Sequence, residues 1–155
     1  MFSNFFKHCG TLSELIEEVC KLENLPLGLS LTRRECGSLG RELVWCNEAY
    51  AAFAGRDVGE LMEIGDMRLI QARVHCPGQS RLFQRKIELG RHYKGRYFWI
   101  KHDGLHLAMT FSSWPIETGD GIFVLGVDKP LPHEEAEDMS PGLFLSEKAD
   151  GRYFN

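Results

Sequence analysis

The chain has 155 residues, 43% of them hydrophobic, with 18 basic and 22 acidic residues and a formal charge of -4. That length buries one core and argues against a second full domain. No Lys/Arg cluster of the kind that tracks a phosphate backbone is present, which argues against direct nucleic-acid binding, and no apolar run approaches bilayer length.

The opening MFSNFFKHCG has neither a basic leader nor a long apolar stretch, so a cytoplasmic protein without membrane association is expected. Cysteines at 9, 20, 36, 46 and 76 are odd in number and form no C-x-x-C pair, which fits reduced thiols better than a disulfide framework or structural zinc. Thr11-Leu12-Ser13-Glu14 is a capping box, followed by Leu12, Leu15, Ile16, Val19 and Leu22 at helical spacing. Residues 1–24 are therefore read as an N-terminal amphipathic helix that needs a surface to cover.

LGLSLTRR and LVWCN then read as two antiparallel strands around a Gly-containing loop. Asn47 is placed to cap a short alanine-rich helix that ends at Gly55, and Asp57-Val58-Gly59-Glu60 opens a second through Leu61, Met62 and Ile64. Residues 77 to 89 form a longer helix, with Leu82, Phe83 and Ile87 on one face. RYFWIK, LHLAMTFSSW and IFVLGV are three consecutive strands, joined by turns at His102-Asp103-Gly104 and around Glu117 to Gly121. The first and third are apolar on both faces, so both faces of the sheet are to be covered: the inner by the short helices, the outer by the N-terminal helix, a partner, or both.

The motifs WCNEAYAAFAG, GELM, the Asp103-Gly104 hairpin, SSWPIETGDG and FVLGVD, in this order, resemble a PAS domain over residues 25 to 129. The resemblance implies an α+β fold: an antiparallel five-stranded sheet with short helices on one face. It also accounts for the alanines after Asn47, because the short helix after the second strand of such folds packs tightly over the sheet beside a ligand-sized interior. GDMRLIQ resembles a segment of the photosensory LOV branch, with Arg68 and Gln71 where flavin contacts stand and Met67 where the photoreactive Cys would be. A thioether forms no thiol adduct. Trp99 and Met109 stand in place of two amides and Asp128 in place of a Gln, which removes polar contacts to a flavin ring.

A candidate ligand pocket comprises Tyr50, Phe53, Met67, Trp99, Met109, Phe111, Val124 and Gly126, where aromatic and Met side chains form an apolar interior and Gly126 leaves room. The competing reading is that these side chains fill the space. No cofactor is the leading expectation, with flavin or haem as alternatives. Haem would need an axial ligand such as His75 or His92, or the Cys76-Pro77 thiolate. Catalysis finds no support: Ser112-Ser113 lies outside any G-x-S-x-G elbow, and Glu134, Glu135, Glu137 and Asp138 lie in the Pro-containing segment 130–155. That segment reads as a linker or tail with a possible docking stretch at Leu143-Phe144-Leu145.

The expectation is a non-enzymatic sensory module that binds a small ligand or senses a cue and signals through a homodimer or a protein partner. The alternative is a ligand-free PAS interaction module. For either, Leu12, Leu15, Ile16 and Val19 of the helix with Phe98, Ile100, Phe123 and Leu125 of the sheet are the candidate dimer or partner interface.

Overall fold

The computed structural model describes residues 9–34, 41–70, 72–75, 79–100 and 106–132. Helix α1 spans Leu12–Cys20, with Thr11 Oγ1 accepting from the Glu14 amide and Glu14 Oε2 accepting from the Gly10 amide, each at 3.2 Å. The Leu12 amide donates to Asp120 Oδ2 at 2.8 Å, and the Gly119 amide donates to the Gly10 carbonyl at 2.7 Å. The orphan N–H groups of the helix start are thus shared between its own capping box and a turn far along the chain.

Strands β1 (Gly28–Arg34) and β2 (Arg41–Cys46) follow, then the short helices α2 (Glu48–Ala54), α3 (Val58–Ile64) and α4 (Met67–Ile70). After these come β3 (Ala72–His75), α5 (Gln79–Glu88), β4 (Tyr93–Ile100), β5 (His106–Thr118) and β6 (Gly121–Pro130). The sheet is antiparallel throughout, in the order β2-β1-β6-β5-β4-β3. Its five long strands are those expected from the sequence. The four-residue β3 is an added edge strand on β4 that the pattern did not announce.

Caps set the helix ends. Asn47 and Asp57 cap α2 and α3 through their side chains, and Gly55 closes α2 at φ 72°, a left-handed conformation that glycine adopts without a Cβ penalty. A bulge at Leu31/Thr32 shifts the β1–β2 register, so Leu43 and Cys46 both reach the inner core while Val44 and Trp45 pack on the outer one.

Two apolar clusters result, one on each face of the sheet. The outer one joins Leu15, Val19 and Cys9 to Leu31, Ile116, Phe123 and Leu125. Leu15, Val19, Phe123 and Leu125 are fully enclosed. These four residues meet each other inside one chain, with Leu12 and Ile16 packed against them: of the covers expected for the outer face, the N-terminal helix, a partner or both, α1 is the one present here. Phe98 is buried as well, and Ile100 is half-buried. The Asp103-Gly104 hairpin, Gln71, Cys76 and the 133–155 segment lie outside the described residues, as do the side chains of Arg68 and His75.

Candidate functional site

The pleat decides which residues line the interior. Alternation along β4 sends Tyr93, Tyr97 and Trp99 to the inner face, β5 sends Met109, Phe111 and Ser113, and β6 sends Val124, Gly126 and Asp128. The helices close over them with Tyr50, Ala51 and Ala54 of α2, Leu61 of α3, Met67 and Ile70 of α4, and Phe83 and Ile87 of α5. Of the alanines in α2, Ala51 and Ala54 face the core, whereas Ala52 is exposed. The helix contacts β1 closely, and larger residues at those two positions would lift it off the sheet.

The structure brings the candidate pocket residues together. Tyr50, Met67, Trp99, Met109, Phe111 and Val124 all belong to the inner cluster, and Phe53 packs partly buried against it. What they form is a packed interior. The Trp99 ring lies 5.2 Å from Tyr50 and 6.4 Å from Phe53, centroid to centroid, and Phe111 lies 5.4 Å from Phe83 and 6.3 Å from Tyr97. A Cβ placed on Gly126 would stand 2.9 Å from the Phe111 ring and 2.8 Å from Ser30 Oγ. The room expected at Gly126 is therefore already taken. The glycine is there because an aromatic ring crosses directly over the strand.

The polar atoms of this interior are few. The Tyr97 hydroxyl donates to the carboxylate of Asp128, and both residues are fully enclosed. The Tyr50 hydroxyl donates to Met67 Sδ at 3.8 Å. Trp99 Nε1 and Ser113 Oγ are buried without a hydrogen-bond partner. Burial pushes the Cys46 thiol up to about 12, with the Glu48 carboxylate adding to the effect, so it stays protonated at neutral pH.

Among the described residues, little suits a flavin, the cofactor that the likeness to the LOV branch brings in. Phe111 stands over Gly126, Asp128 is engaged by Tyr97, and Trp99 and Met109 occupy the interior with bulk where polar contacts to the ring would be needed. Haem finds no ligand in His92. That ring stacks on Trp114 at 4.7 Å, and Trp114 pairs with Leu125 on the opposite face of the sheet. Among the described residues no cluster of His, Cys, Asp and Glu is arranged to hold a metal ion, and no helix is long and apolar enough to cross a membrane.

Sequence reasoning missed Tyr93, Tyr97 and Phe83 as wall residues of this interior. The signal for the tyrosines is in the sequence, since Tyr93, Gly95, Tyr97 and Trp99 alternate; a strand begun at Arg96 leaves out Tyr93 but contains Tyr97, which is in phase with Trp99.

No family model matches this sequence, and no curated protein matches it. Solved structures do match the fold. The PAS domain of the fruit-fly ELK potassium channel superposes with a TM-score of 0.61 at 15% identity, covering 80% of this chain and 100% of that one. The PAS domain of nitrogen regulation protein NR(II) from Vibrio parahaemolyticus gives 0.58 at 12% identity, covering 72% and 95%. A light-oxygen-voltage domain studied with a flavin analogue gives 0.61 at 13% identity, covering 89% and 96%. The chain has a PAS-like fold.

Proposed function

We propose that this chain is a PAS-fold signalling module that acts by protein association, with its interior closed by its own side chains. The observation that carries the reading is Phe111 lying across Gly126, where a Cβ would stand 2.9 Å from the ring. Folds of this kind host many functions, so the argument rests on that packing and not on the fold. The reading assigns no reaction to the chain, and the thiols of Cys9, Cys20 and Cys46 are free, in keeping with a reducing, cytoplasmic setting.

Native mass spectrometry of the freshly purified protein, with an absorbance spectrum of the same sample, tests it. The expected result is the polypeptide mass or its multiples, with no band above the aromatic absorption. A stoichiometric extra mass, or a flavin or Soret band, overturns the reading.

One observation favours a second reading, a ligand-binding sensor. Trp99 Nε1 is a buried donor with nothing to donate to, and leaving such a group unpaired costs about 1–3 kcal/mol. A small acceptor molecule reaching the indole would relieve that cost. Its binding would shift the α2 packing against β4 and bias partner contacts through differential affinity. The extra mass in the same experiment is its signature.

A further inference from the structure

α1 covers only one half of the outer face, the half around Ile116, Phe123 and Leu125 toward the β5–β6 turn. On the other half, the outward residues of three neighbouring strands stand in register: Arg96, Thr110 and Lys129 in one row, Lys94, Ser112 and Val127 in the next. Lys94, Arg96 and Lys129 are exposed, and none of them is in an ion pair among the described residues. Strand spacing and rise put the Cα atoms of these three cations within about 7–12 Å of one another. Among the described residues, no outward position of β4, β5 or β6 carries a carboxylate to offset them, since Asp128 faces inward to Tyr97.

The row beyond Arg96 is apolar, Phe98, Ala108 and Leu131, and there the chain leaves the sheet: the Leu131 amide donates to the Ala108 carbonyl at 3.0 Å. Phe98 and Leu131 are buried, although neither belongs to the cluster under α1. Past Pro132 the sequence reads HEEAED, which places the carboxylates of Glu134, Glu135, Glu137 and Asp138 within residues 133–138. Glu134 and Glu135 come three and four residues after Leu131, a reach of about 10–14 Å in extended chain. The Arg96 and Lys94 rows lie about 7 and 14 Å along the strands from the Leu131 row. Length and charge therefore match. We propose that the chain's own acidic segment 133–138 folds back from Leu131 onto this half of the outer face, with Glu134, Glu135, Glu137 and Asp138 set against Arg96, Lys129 and Lys94. The tether holds the segment at an effective concentration on the order of millimolar, so any acidic partner of this face competes with the chain's own cover. The contact concerns the outer face alone and holds whether the interior is closed or takes a ligand.

The test is cleavage of the full chain by a Glu-specific protease, read by mass spectrometry at Glu137 and divided by the rate on a free 130–155 peptide at the same salt. At about 20 mM salt the chain is expected to be cut about tenfold more slowly than the peptide, and at about 500 mM the difference disappears as the charges are screened. Arg96→Glu with Lys129→Glu removes the protection at low salt. Both residues are exposed, so the sheet accommodates the change, and the milder Arg96→Gln with Lys129→Gln acts in the same direction. Adding Glu134→Lys and Glu135→Lys to the charge-reversed face restores the protection. A chain cut at the peptide rate at low salt overturns the contact, as does protection that survives both face variants or an exchange of charges that fails to restore it. Protection that grows with protein concentration puts the segment on a second copy and also overturns it. So does a face variant that leaves Glu137 protected and instead opens Lys7 to trypsin, which would put residues 1–8 on this face. Stoichiometric ligand mass in the native spectrum sinks the closed interior and leaves this contact standing.

Discussion

Asn47 holds Leu29. The Asn47 side-chain oxygen accepts from the Leu29 amide and from the Tyr50 amide, each at 3.0 Å, while its Nδ2 donates to the Leu27 carbonyl at 2.8 Å. One buried amide thus caps α2 and fixes the entry of β1 beside it. Asn47→Ala removes the cap and leaves buried backbone groups unpaired, a loss of about 2–4 kcal/mol. Chemical denaturation measures it directly. A cost below that of an ordinary helix cap would show that water replaces the lost bonds.

Asp120 clamps the start of α1 through the Leu12 amide. Asp120→Ala deletes one charged acceptor at a helix N-terminus, about 1–2 kcal/mol. The effect concentrates on α1, so hydrogen exchange of the Leu15 to Val19 amides is expected to speed up more than that of the central strands. Equal acceleration everywhere would deny the clamp a local role.

Gly126→Ala forces a methyl against the Phe111 ring and Ser30 Oγ, and overpacking of this kind costs about 1–3 kcal/mol. Phe111→Leu is destabilising by itself through lost packing. Combined with Gly126→Ala it is expected to cost less than the sum of the two, and strict additivity would place the ring away from the glycine.

Cys46 is expected to resist alkylation. With the thiol near 12, its thiolate at pH 8 is about one part in 10⁴, and the residue is buried. Cys20 is half-buried and reacts before it. Mass spectrometry of a timed iodoacetamide reaction ranks the two, and modification of Cys46 in the folded protein as fast as Cys20 contradicts its placement.

Partial desolvation lowers the pKa of His92, an exposed ring stacked on Trp114, and the positive charges of Lys94 and Lys86 add to the effect. The folded chain then holds this proton less tightly than the unfolded chain does. Stability is full above the unfolded value of about 6.5 and falls as pH drops from there toward the folded value. His92→Gln is expected to flatten that part of the pH profile. An identical profile in the variant would assign the loss to other groups.

The fold was legible where local chemistry and periodicity agreed. The capping residues Thr11, Asn47 and Asp57, the glycine at 55 and the alternation of β5 each name their element from a few neighbouring residues. β3 was not legible, because four residues supply too little pattern to separate a strand from a loop. At the site, membership could be read and occupancy could not. The inward residues followed from the period of two, but whether they enclose a void depends on the Phe111 ring leaning over Gly126, a tertiary contact that no spacing encodes. Likewise, Leu15 and Val19 announce an apolar stripe, yet only the three-dimensional contact shows that it is satisfied by Phe123 and Leu125 of the same chain.

The bond between Leu12 and Asp120 joins positions 108 residues apart. During synthesis α1 leaves the ribosome well before its seat on Phe123 and Leu125 is made. The stripe of Leu15 and Val19 must wait without its apolar cover until those strands have been made. Closing so long a loop carries an entropic cost that short-range contacts avoid, which places docking of α1 late in folding, after the sheet it covers.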